Sequence, residues 1–386
     1  MDFALPPDDD PRRVAVRAWL AENPAPTRVE LAAAGYVAPH WPRPWGIAAD
    51  PEHQLVVEEE LARGGVEAIG VSIALGWAGP TIMAGGTLEQ QQRFLPGILD
   101  GTVEWCQLFS EPDAGSDLSS LRTQAVRDGD HYVVNGQKIW STWANRSQYG
   151  ILIARTDPTV PKHKGILYFV IDMATPGIEV RKIVEMTGGN HFNETFFTDV
   201  RIPVDCRIGA EGEGWRLATV TLGNERLSLS EGGVLWGMGP TSEECFDEIR
   251  GLGPHTDPIL RQRAAAVYAE QVLLRLHGQR IMTMVLAGRD PGAYASIRKT
   301  LADAHGQRVL SLIKDLRGAD GMLGQQDEHA EETDAWHWGY LFSRALTIGG
   351  GTSEVQRNII GERLLGLPRE PTPAGHRDGQ HDEGTT

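Results

Sequence analysis

The chain has 386 residues, of which 41% are apolar and 23% charged, as in a globular protein with several packed layers or subdomains. Its formal charge of -16 disfavours nucleic acid or an anionic membrane as a partner, because both bind basic patches. No secretory signal, no apolar run of about 18 residues and no CxxC pair is found, so we expect a cytoplasmic protein without a membrane span, disulfide framework or metal site.

The first hundred residues are predicted to be mainly helical. Good helix formers fill the run from Pro51 to Arg63, and Gly64-Gly65 ends it. A second helix is expected from Glu89 to Leu99.

Strand patterns begin near residue 105. Asn135-Gly136 between apolar runs predicts a hairpin with a type I′ turn. Four further strand-like runs, punctuated by Pro and Gly, start at Tyr149, Gly165, Ile178 and Asn193. These patterns indicate a small, mostly antiparallel β domain.

Helical periodicity returns after Gly212. Long amphipathic runs extend from Pro258 to Leu286 and onward from Ile297, and a last helix follows the glycines at 349–351. We therefore predict an α+β chain with an N-terminal helical domain (1–105), a middle antiparallel β domain (106–211) and a C-terminal four-helix bundle (212–370). The polar segment 371–386 is expected to be disordered.

Three short segments are candidates for ligand contacts. The run SEPDAGSD from Ser110 allows close backbone approach to a flat or phosphorylated ligand, although an ordinary turn explains it as well. Trp140 and Thr142 would share one face of a strand, as a ring-binding wall or as core residues. The glycines at 349–351 before Thr352 suit either an anion site or a simple helix cap.

Taken in order, four segments resemble the acyl-CoA dehydrogenase family, and the resemblance runs from about Val16 to Glu370. They are SEPDAGSD, GQKIWST, NETFFTDVRIP and GGGTSEVQRNIIGERLLGLPRE. The resemblance implies a three-domain flavoprotein with FAD between the β domain and the C-terminal helices. It also implies α,β-dehydrogenation of an acyl-CoA, or acyl-carrier, thioester, with electrons passed to an electron-transfer flavoprotein.

The same resemblance implies roles for individual residues. The flavin ring would be lined by Phe109, Ser110, Trp140 and Thr142. The adenine-dinucleotide part of FAD would face Gly351, Thr352 and Glu354, often from a neighbouring subunit, and Ser116 would lie along the acyl-CoA chain.

The catalytic base is where the chain departs from a common family pattern. Many members place a glutamate directly before the Gly-Thr of the last motif, where this chain has Gly350. Members similar to the isovaleryl-CoA and long-chain enzymes keep it on a middle helix before an arginine, which corresponds to Glu225-Arg226. Glu225 is therefore predicted to be the base, against the alternative of a solvated helix carboxylate, with Arg226 helping to hold the substrate site. Gly350 would offer a backbone N–H to the thioester oxygen.

A second departure concerns the FAD phosphates. The R-x-x-F-G segment of many relatives is absent, and Asp315 replaces a common glutamine. Such losses occur in relatives that act with unlike subunits on bulky, steroid-like thioesters. A homodimer or homotetramer is expected, with a hetero-oligomer as the alternative. An oxygen-using oxidase and a non-catalytic partner subunit remain the alternative functions.

Overall fold

The computed structural model describes residues 6–70, 72–231, 233–236, 238–252, 257–289, 291–323 and 335–369. The predicted disorder of 371–386 concerns residues outside this part. The N-terminal region is helical, and α3 begins and ends where the sequence predicted. Its helices are α1 (Pro11–Glu22), α2 (Arg28–Ala33), α3 (Pro51–Arg63), α4 (Gly79–Gly85) and α5 (Leu88–Leu99), with a π-helical turn at Ile73–Ala78.

The middle region is a mixed, mainly antiparallel sheet. Its strands are β1 (Trp105–Leu108), β2 (Gln124–Asp128), β3 (His131–Lys138), β4 (Tyr149–Arg155), β5 (Ile166–Asp172), β6 (Ile178–Lys182), β7 (Asn193–Pro203) and β8 (Arg207–Ile208). Their order is β6-β7-β3-β2-β4-β5-β8, with β1 beside β4. The β1–β4 pairing and the short β2–β4 pairing are parallel, which adds a parallel component to the antiparallel domain that the sequence predicted.

The hairpin predicted at Asn135-Gly136 is wrong. Both residues lie inside β3, where the register against β7 shifts between Val134 and Gly136. Gly136 has φ +151°, and a Cβ there would lie 2.6 Å from Thr123 Oγ1, so the glycine permits a bulge. The turn between β2 and β3 instead contains Gly129 at φ +62°.

The C-terminal region is helical, with α9 packed against several of the other helices. Its helices are α6 (Gly214–Glu231), α7 (Ser242–Gly251), α8 (Pro258–Leu286), α9 (Tyr294–Arg317), α10 (Ala335–Phe342) and α11 (Ser353–Ile359), which continues as a π-helical turn at Ile360–Leu364. Within the residues described, none of the helices has the length and apolarity needed to cross a bilayer.

One apolar core joins the first two regions to α6. Leu217 and Ala218 of α6 belong to the same buried cluster as Ile98 of α5 and Ile151 of β4. In addition, the hydroxyl of Thr221 lies 2.8 Å from Thr81 Oγ1 and 3.0 Å from the Tyr168 hydroxyl. The first turns of α6 are thus fixed against both neighbouring regions. The domain boundaries at 105/106 and 211/212 stay predictions.

Candidate active site

Glu225 is a buried carboxylate on α6. Its side chain is only 8% exposed, and Gln107 of β1 donates a hydrogen bond from Nε2 to Glu225 Oε2 at 3.3 Å. Burial raises the pKa of Glu225, and this effect outweighs the opposing influence of Gln107, Arg226 and Lys299. The alternative of a solvated helix carboxylate is therefore wrong. A desolvated carboxylate with a raised pKa is suited to accept a proton near neutral pH.

Arg226 follows Glu225 on α6 and is half-buried. Burial lowers the pKa of Arg226, the charge of Glu225 opposes that change, and Arg363 reinforces it. The arginine remains protonated, because a guanidinium is not deprotonated in proteins. Arg363 of the π-helical turn is thus near enough to Arg226 to act on its charge.

The side chain of Gln356 of α11 holds the glycine turn at 349–351 through hydrogen bonds. Gly350 and Gly351 have φ values of +64° and +89°, a region that strongly favours glycine. The fully buried Gln356 donates from Nε2 to the carbonyl oxygens of Gly350 (3.1 Å) and Gly351 (3.3 Å). Thr352 caps α11 by accepting a hydrogen bond from Val355 N at 3.3 Å. The helix cap predicted from the sequence is therefore present. The role of Thr352 beside FAD stays a prediction.

We expect Gly351→Ala to destabilise the protein more than Gly65→Ala. Both positions have positive φ, +89° and +77°, which costs an alanine about 1–2 kcal/mol. A Cβ at Gly351 would also lie 2.6 Å from Gln356 Nε2, whereas nothing lies within 4 Å of one at Gly65. Displacing Gln356 should remove two hydrogen bonds worth about 1 kcal/mol each. Urea unfolding of both variants measures the difference, and equal losses would contradict the role of Gln356.

The ends of β1 and β3 are joined by a buried ion pair. Lys138 Nζ donates to Glu111 Oε1 at 2.8 Å and to the Phe109 carbonyl at 2.9 Å. Ile139 N donates to the Ser110 carbonyl at 2.9 Å. These bonds bring the segments at 109–111 and 138–142 side by side, as the resemblance requires for a flavin wall.

The predicted geometry of Trp140 and Thr142 is wrong. They do not share a strand face, because β3 ends at Lys138 and Trp140 adopts φ +60°. Trp140 is 56% exposed, with its ring centroid 6.0 Å from that of Phe192 in an edge-to-face arrangement. A positive φ is a rare conformation for a bulky residue and is often found at functional sites.

The other predicted site residues differ in their surroundings. Phe109 is buried, with its ring edge-to-face against Tyr168 at 5.9 Å, so its side chain belongs to the core. Ser116 and Glu354 are exposed, and Glu354 pairs with Arg357 at 3.3 Å. The structure thus associates Ser110 with the segment of Trp140 and Thr142, whereas the side chain of Ser116 is exposed to solvent.

The residues beside this wall fit a flavin. The exposed Trp140 ring offers an aromatic face, and the half-buried hydroxyl side chains of Ser110 and Thr142 offer hydrogen bonds. Among the described residues, the buried Oγ of Ser141, between Trp140 and Thr142, lacks a hydrogen-bond partner, and so does the buried Oε1 of Gln356, whose Nε2 bonds to the glycine turn. Such atoms are expected where a polar ligand or ordered water completes the site.

Sequence reasoning missed one residue that contacts Glu225 and one buried ion pair that bonds to the segment before the glycine turn. Gln107 bonds Glu225 from a short buried strand, which no motif marks. Lys299 and Asp303 form a buried pair on α9. Their spacing of four residues was readable, but a pair at that spacing is usually on a solvated helix face.

Three profiles of one family match consecutive parts of the chain. They are described as acyl-CoA dehydrogenase N-terminal domain (residues 11–102), middle domain (106–200) and C-terminal domain (212–365). Among named relatives, acyl-CoA dehydrogenase FadE34 of Mycobacterium tuberculosis is 41% identical over 93% of this chain. The match covers 48% of FadE34, so the chain spans about half the length of that relative. Acyl-CoA dehydrogenase IpdE1 of the same organism is 36% identical over 93% of this chain and 97% of its own length.

Solved structures of acyl-CoA dehydrogenases are also similar to this chain. The Tcur3481-Tcur3483 steroid ACAD has a TM-score of 0.77 and 28% identity, covering 96% of this chain and all of that chain. The ChsE4-ChsE5 complex from Mycobacterium tuberculosis has a TM-score of 0.75 and 31% identity, with the same coverage. The three-domain fold predicted from the sequence is confirmed.

Proposed function

The chain belongs to the acyl-CoA dehydrogenase family, and we propose that it removes hydrogen from the α and β carbons of an acyl-CoA thioester, with Glu225 as the base. The observation that supports this best is the burial of Glu225, which is 8% exposed and bonded to Gln107 at 3.3 Å. A carboxylate kept from water on the middle helix matches the base position of the relatives that lack a glutamate before the last Gly-Thr.

Glu225 would take the proton from the α carbon. The α-proton of a thioester is weakly acidic, so its removal needs a positioned base and stabilisation of the charge that develops on the thioester oxygen. Burial raises the pKa of Glu225, which strengthens the carboxylate as a base. The neighbouring charge of Arg226 favours the ionised form that accepts the proton.

Gly350 would donate a hydrogen bond from its backbone N–H to the thioester oxygen. The absence of a side chain at this position, together with φ +64°, leaves room for close approach to the backbone. The hydrogen bond from Gln356 to the Gly350 carbonyl fixes the orientation of the adjoining peptide. Ser116 is proposed to lie along the acyl-CoA chain, and Arg226 is proposed to help hold the substrate site.

FAD is proposed as the cofactor, held by Ser110, Trp140 and Thr142 at the ring and by Gly351, Thr352 and Glu354 toward the dinucleotide. Phe109 can contribute only its backbone, because its ring is buried against Tyr168. When bound, FAD supplies the acceptor for the β-hydride. An electron-transfer flavoprotein is proposed as the next electron acceptor.

The proposed substrate is a bulky or branched acyl thioester rather than a short straight one. Placing the base on α6 instead of the glycine turn reshapes the acyl end of the pocket. One solved relative is named a steroid ACAD, and another is a complex of two differently named proteins.

An oligomer is proposed as the working form. Exposed apolar side chains along α8, namely Ile259, Tyr268, Leu273 and Leu276, are 45–69% exposed in the single chain. Apolar residues exposed along one helix are typical of a surface that a second subunit covers. The second subunit is either another copy or an unlike relative, as in the two-protein complex.

The purified protein is expected to show a flavin spectrum that is bleached by bulky or branched acyl-CoA faster than by butyryl-CoA. The physical reason is that reduction requires the α carbon next to Glu225, and a short chain leaves part of the acyl pocket unfilled. Anaerobic spectroscopy against a panel of thioesters measures both properties. Bleaching by butyryl-CoA alone would contradict the substrate proposal.

The same experiment separates the alternative functions. A colourless chain that takes up no added FAD, alone or with an unlike relative, would indicate a non-catalytic partner subunit. Rapid peroxide formation under aerobic turnover would indicate an oxidase rather than a dehydrogenase.

A further inference from the structure

The segment 139–143, which follows β3, has an unusual backbone. Trp140 and Trp143 adopt φ values of +60° and +57°, which are unfavourable for bulky L residues. Such conformations persist only where the surrounding structure holds them. Because Trp140 and Thr142 are proposed to contact the flavin ring, the contacts that hold this segment also set the shape of the flavin wall.

Asn193, the first residue of β7, pairs with Ser141 in the middle of this segment through two hydrogen bonds. Ser141 N donates to the Asn193 carbonyl at 3.0 Å, and Asn193 Nδ2 donates to the Ser141 carbonyl, also at 3.0 Å. Two residues further, Trp143 N donates to the His191 carbonyl at 2.8 Å. The backbone on both sides of Ser141 is therefore fixed, although the segment is not part of a strand.

The bond from the Asn193 amide is the shorter one for both of its partners. Asn193 Nδ2 lies 3.4 Å from Asn145 Oδ1 and 3.5 Å from the His191 carbonyl. The Ser141 carbonyl also accepts from Ala144 N, at 3.3 Å. Asn193 and Ser141 are both fully buried, so water cannot replace this amide without entering the protein.

We propose that Asn193 is a positioning residue for the flavin wall, with its side-chain amide holding Ser141 so that Trp140 and Thr142 on either side keep the conformation that receives the ring. This inference rests on the proposed function, in which FAD lies against these two side chains. It also gives a role to the first residue of the NETFFTDVRIP run, which neither the proposed base nor the proposed FAD contacts use.

The test replaces Asn193 with leucine, which has a similar size but no amide. Without the amide, the wall should leave its unfavourable conformation part of the time, and the apparent affinity for FAD falls with the fraction of molecules that can still bind. Loss of one hydrogen bond corresponds to a rise of about fivefold in the Kd of FAD. Serial dilution of the purified flavoprotein, with the released FAD followed by its fluorescence, measures this Kd.

A second measurement needs neither FAD nor turnover. The protein is labelled with 5-fluorotryptophan, and the ¹⁹F signal of Trp140 is assigned by its loss in Trp140→Phe. In Asn193→Leu this signal should shift or broaden, because the ring then has more than one environment. If Asn193→Leu does not fold, Asn193→Ala carries the same two predictions.

The matched control is Asn135→Leu. Asn135 also pairs with a single residue through two hydrogen bonds, because its Nδ2 donates to Asp199 Oδ1 at 3.0 Å and its Oδ1 accepts from Asp199 N at 2.9 Å. Asp199 likewise has a positive φ, +49°. This pair joins the same two strands, β3 and β7, but at exposed positions. Its loss should leave both the Kd of FAD and the Trp140 signal unchanged.

The proposal is overturned if a folded Asn193→Leu keeps the original Trp140 signal and the original Kd of FAD. Equal changes in Asn135→Leu would overturn it as well, because they would show a general loosening of β3 against β7. A changed Trp140 signal with unchanged FAD binding would do the same. If the original protein binds no FAD, the proposed function fails, and an unchanged Trp140 signal in Asn193→Leu would still show that Asn193 does not hold this segment.

Discussion

Glu225→Gln is expected to lower the rate of flavin reduction by about 10²–10⁴-fold while FAD and thioester still bind. Glutamine keeps the shape of the side chain and can still bond to Gln107, but it cannot take the α-proton. The loss should therefore fall on the chemical step and not on substrate binding. Stopped-flow reduction at saturating acyl-CoA measures the rate, and a flavin spectrum checks the cofactor.

The matched control is Glu58→Gln. Glu58 is an exposed carboxylate of α3 that bonds to Gln54 at 2.8 Å, which is the environment that a merely solvated Glu225 would have. This variant should reduce its flavin at the original rate. If Glu225→Gln does the same, the base lies elsewhere or on a partner chain.

The pH dependence gives a second measure of the same group. Burial raises the pKa of Glu225 above its usual 4.5. The base works only when ionised, so flavin reduction should rise with pH through that raised pKa and fall as the pH drops below it. This rise of the reduction rate with pH should disappear in Glu225→Gln. If the variant shows the same pH dependence of flavin reduction, a group other than Glu225 is responsible for it.

Lys138→Met is expected to lower the free energy of unfolding by about 3–5 kcal/mol. Lys138 is fully buried, and its ammonium bonds to Glu111 at 2.8 Å and to the Phe109 carbonyl at 2.9 Å. Methionine fills similar volume but leaves the buried Glu111 carboxylate without its positive partner. Urea unfolding, followed by tryptophan fluorescence and circular dichroism, measures the loss.

Two comparison variants make this result specific to the buried pair. Lys162→Met removes the half-buried partner of the exposed Asp117, whose carboxylate lies 3.0 Å from Lys162 Nζ, and it should cost no more than about 1 kcal/mol. Adding Glu111→Gln to Lys138→Met should restore part of the stability. The neutral amide leaves no unpaired buried charge, and its single oxygen can still accept one of the two hydrogen bonds that Arg122 N and Thr123 N donate to the Glu111 oxygens at 2.6 and 2.9 Å. Equal losses for Lys138→Met and Lys162→Met would contradict the assigned role of burial.

The sequence by itself determined the elements whose signals are local. The end of α3 at Arg63 follows from Gly64-Gly65, and the bounds of α8 and β7 agree with the runs read from the sequence. Helix periodicity, strand alternation and turn residues act within a few neighbouring positions, so they can be read without knowing what packs against them. The four family motifs, taken in their order along the chain, likewise predicted the three-domain fold.

Tertiary structure decided what depends on distant neighbours. Asn135-Gly136 has the local chemistry of a turn, but pairing with β7 and the close approach of Thr123 make it a bulge inside β3. Glu225 has the local pattern of a surface carboxylate, and only the packing of α6 against α4, β5 and α9 buries it, with Gln107 of β1 beside it. Lys299 and Asp303 have ordinary helix spacing, and the segments at 233–236 and 346–351 turn them into a closed ion pair. Burial and its electrostatic consequences are set by residues far apart in the chain, which no local pattern encodes.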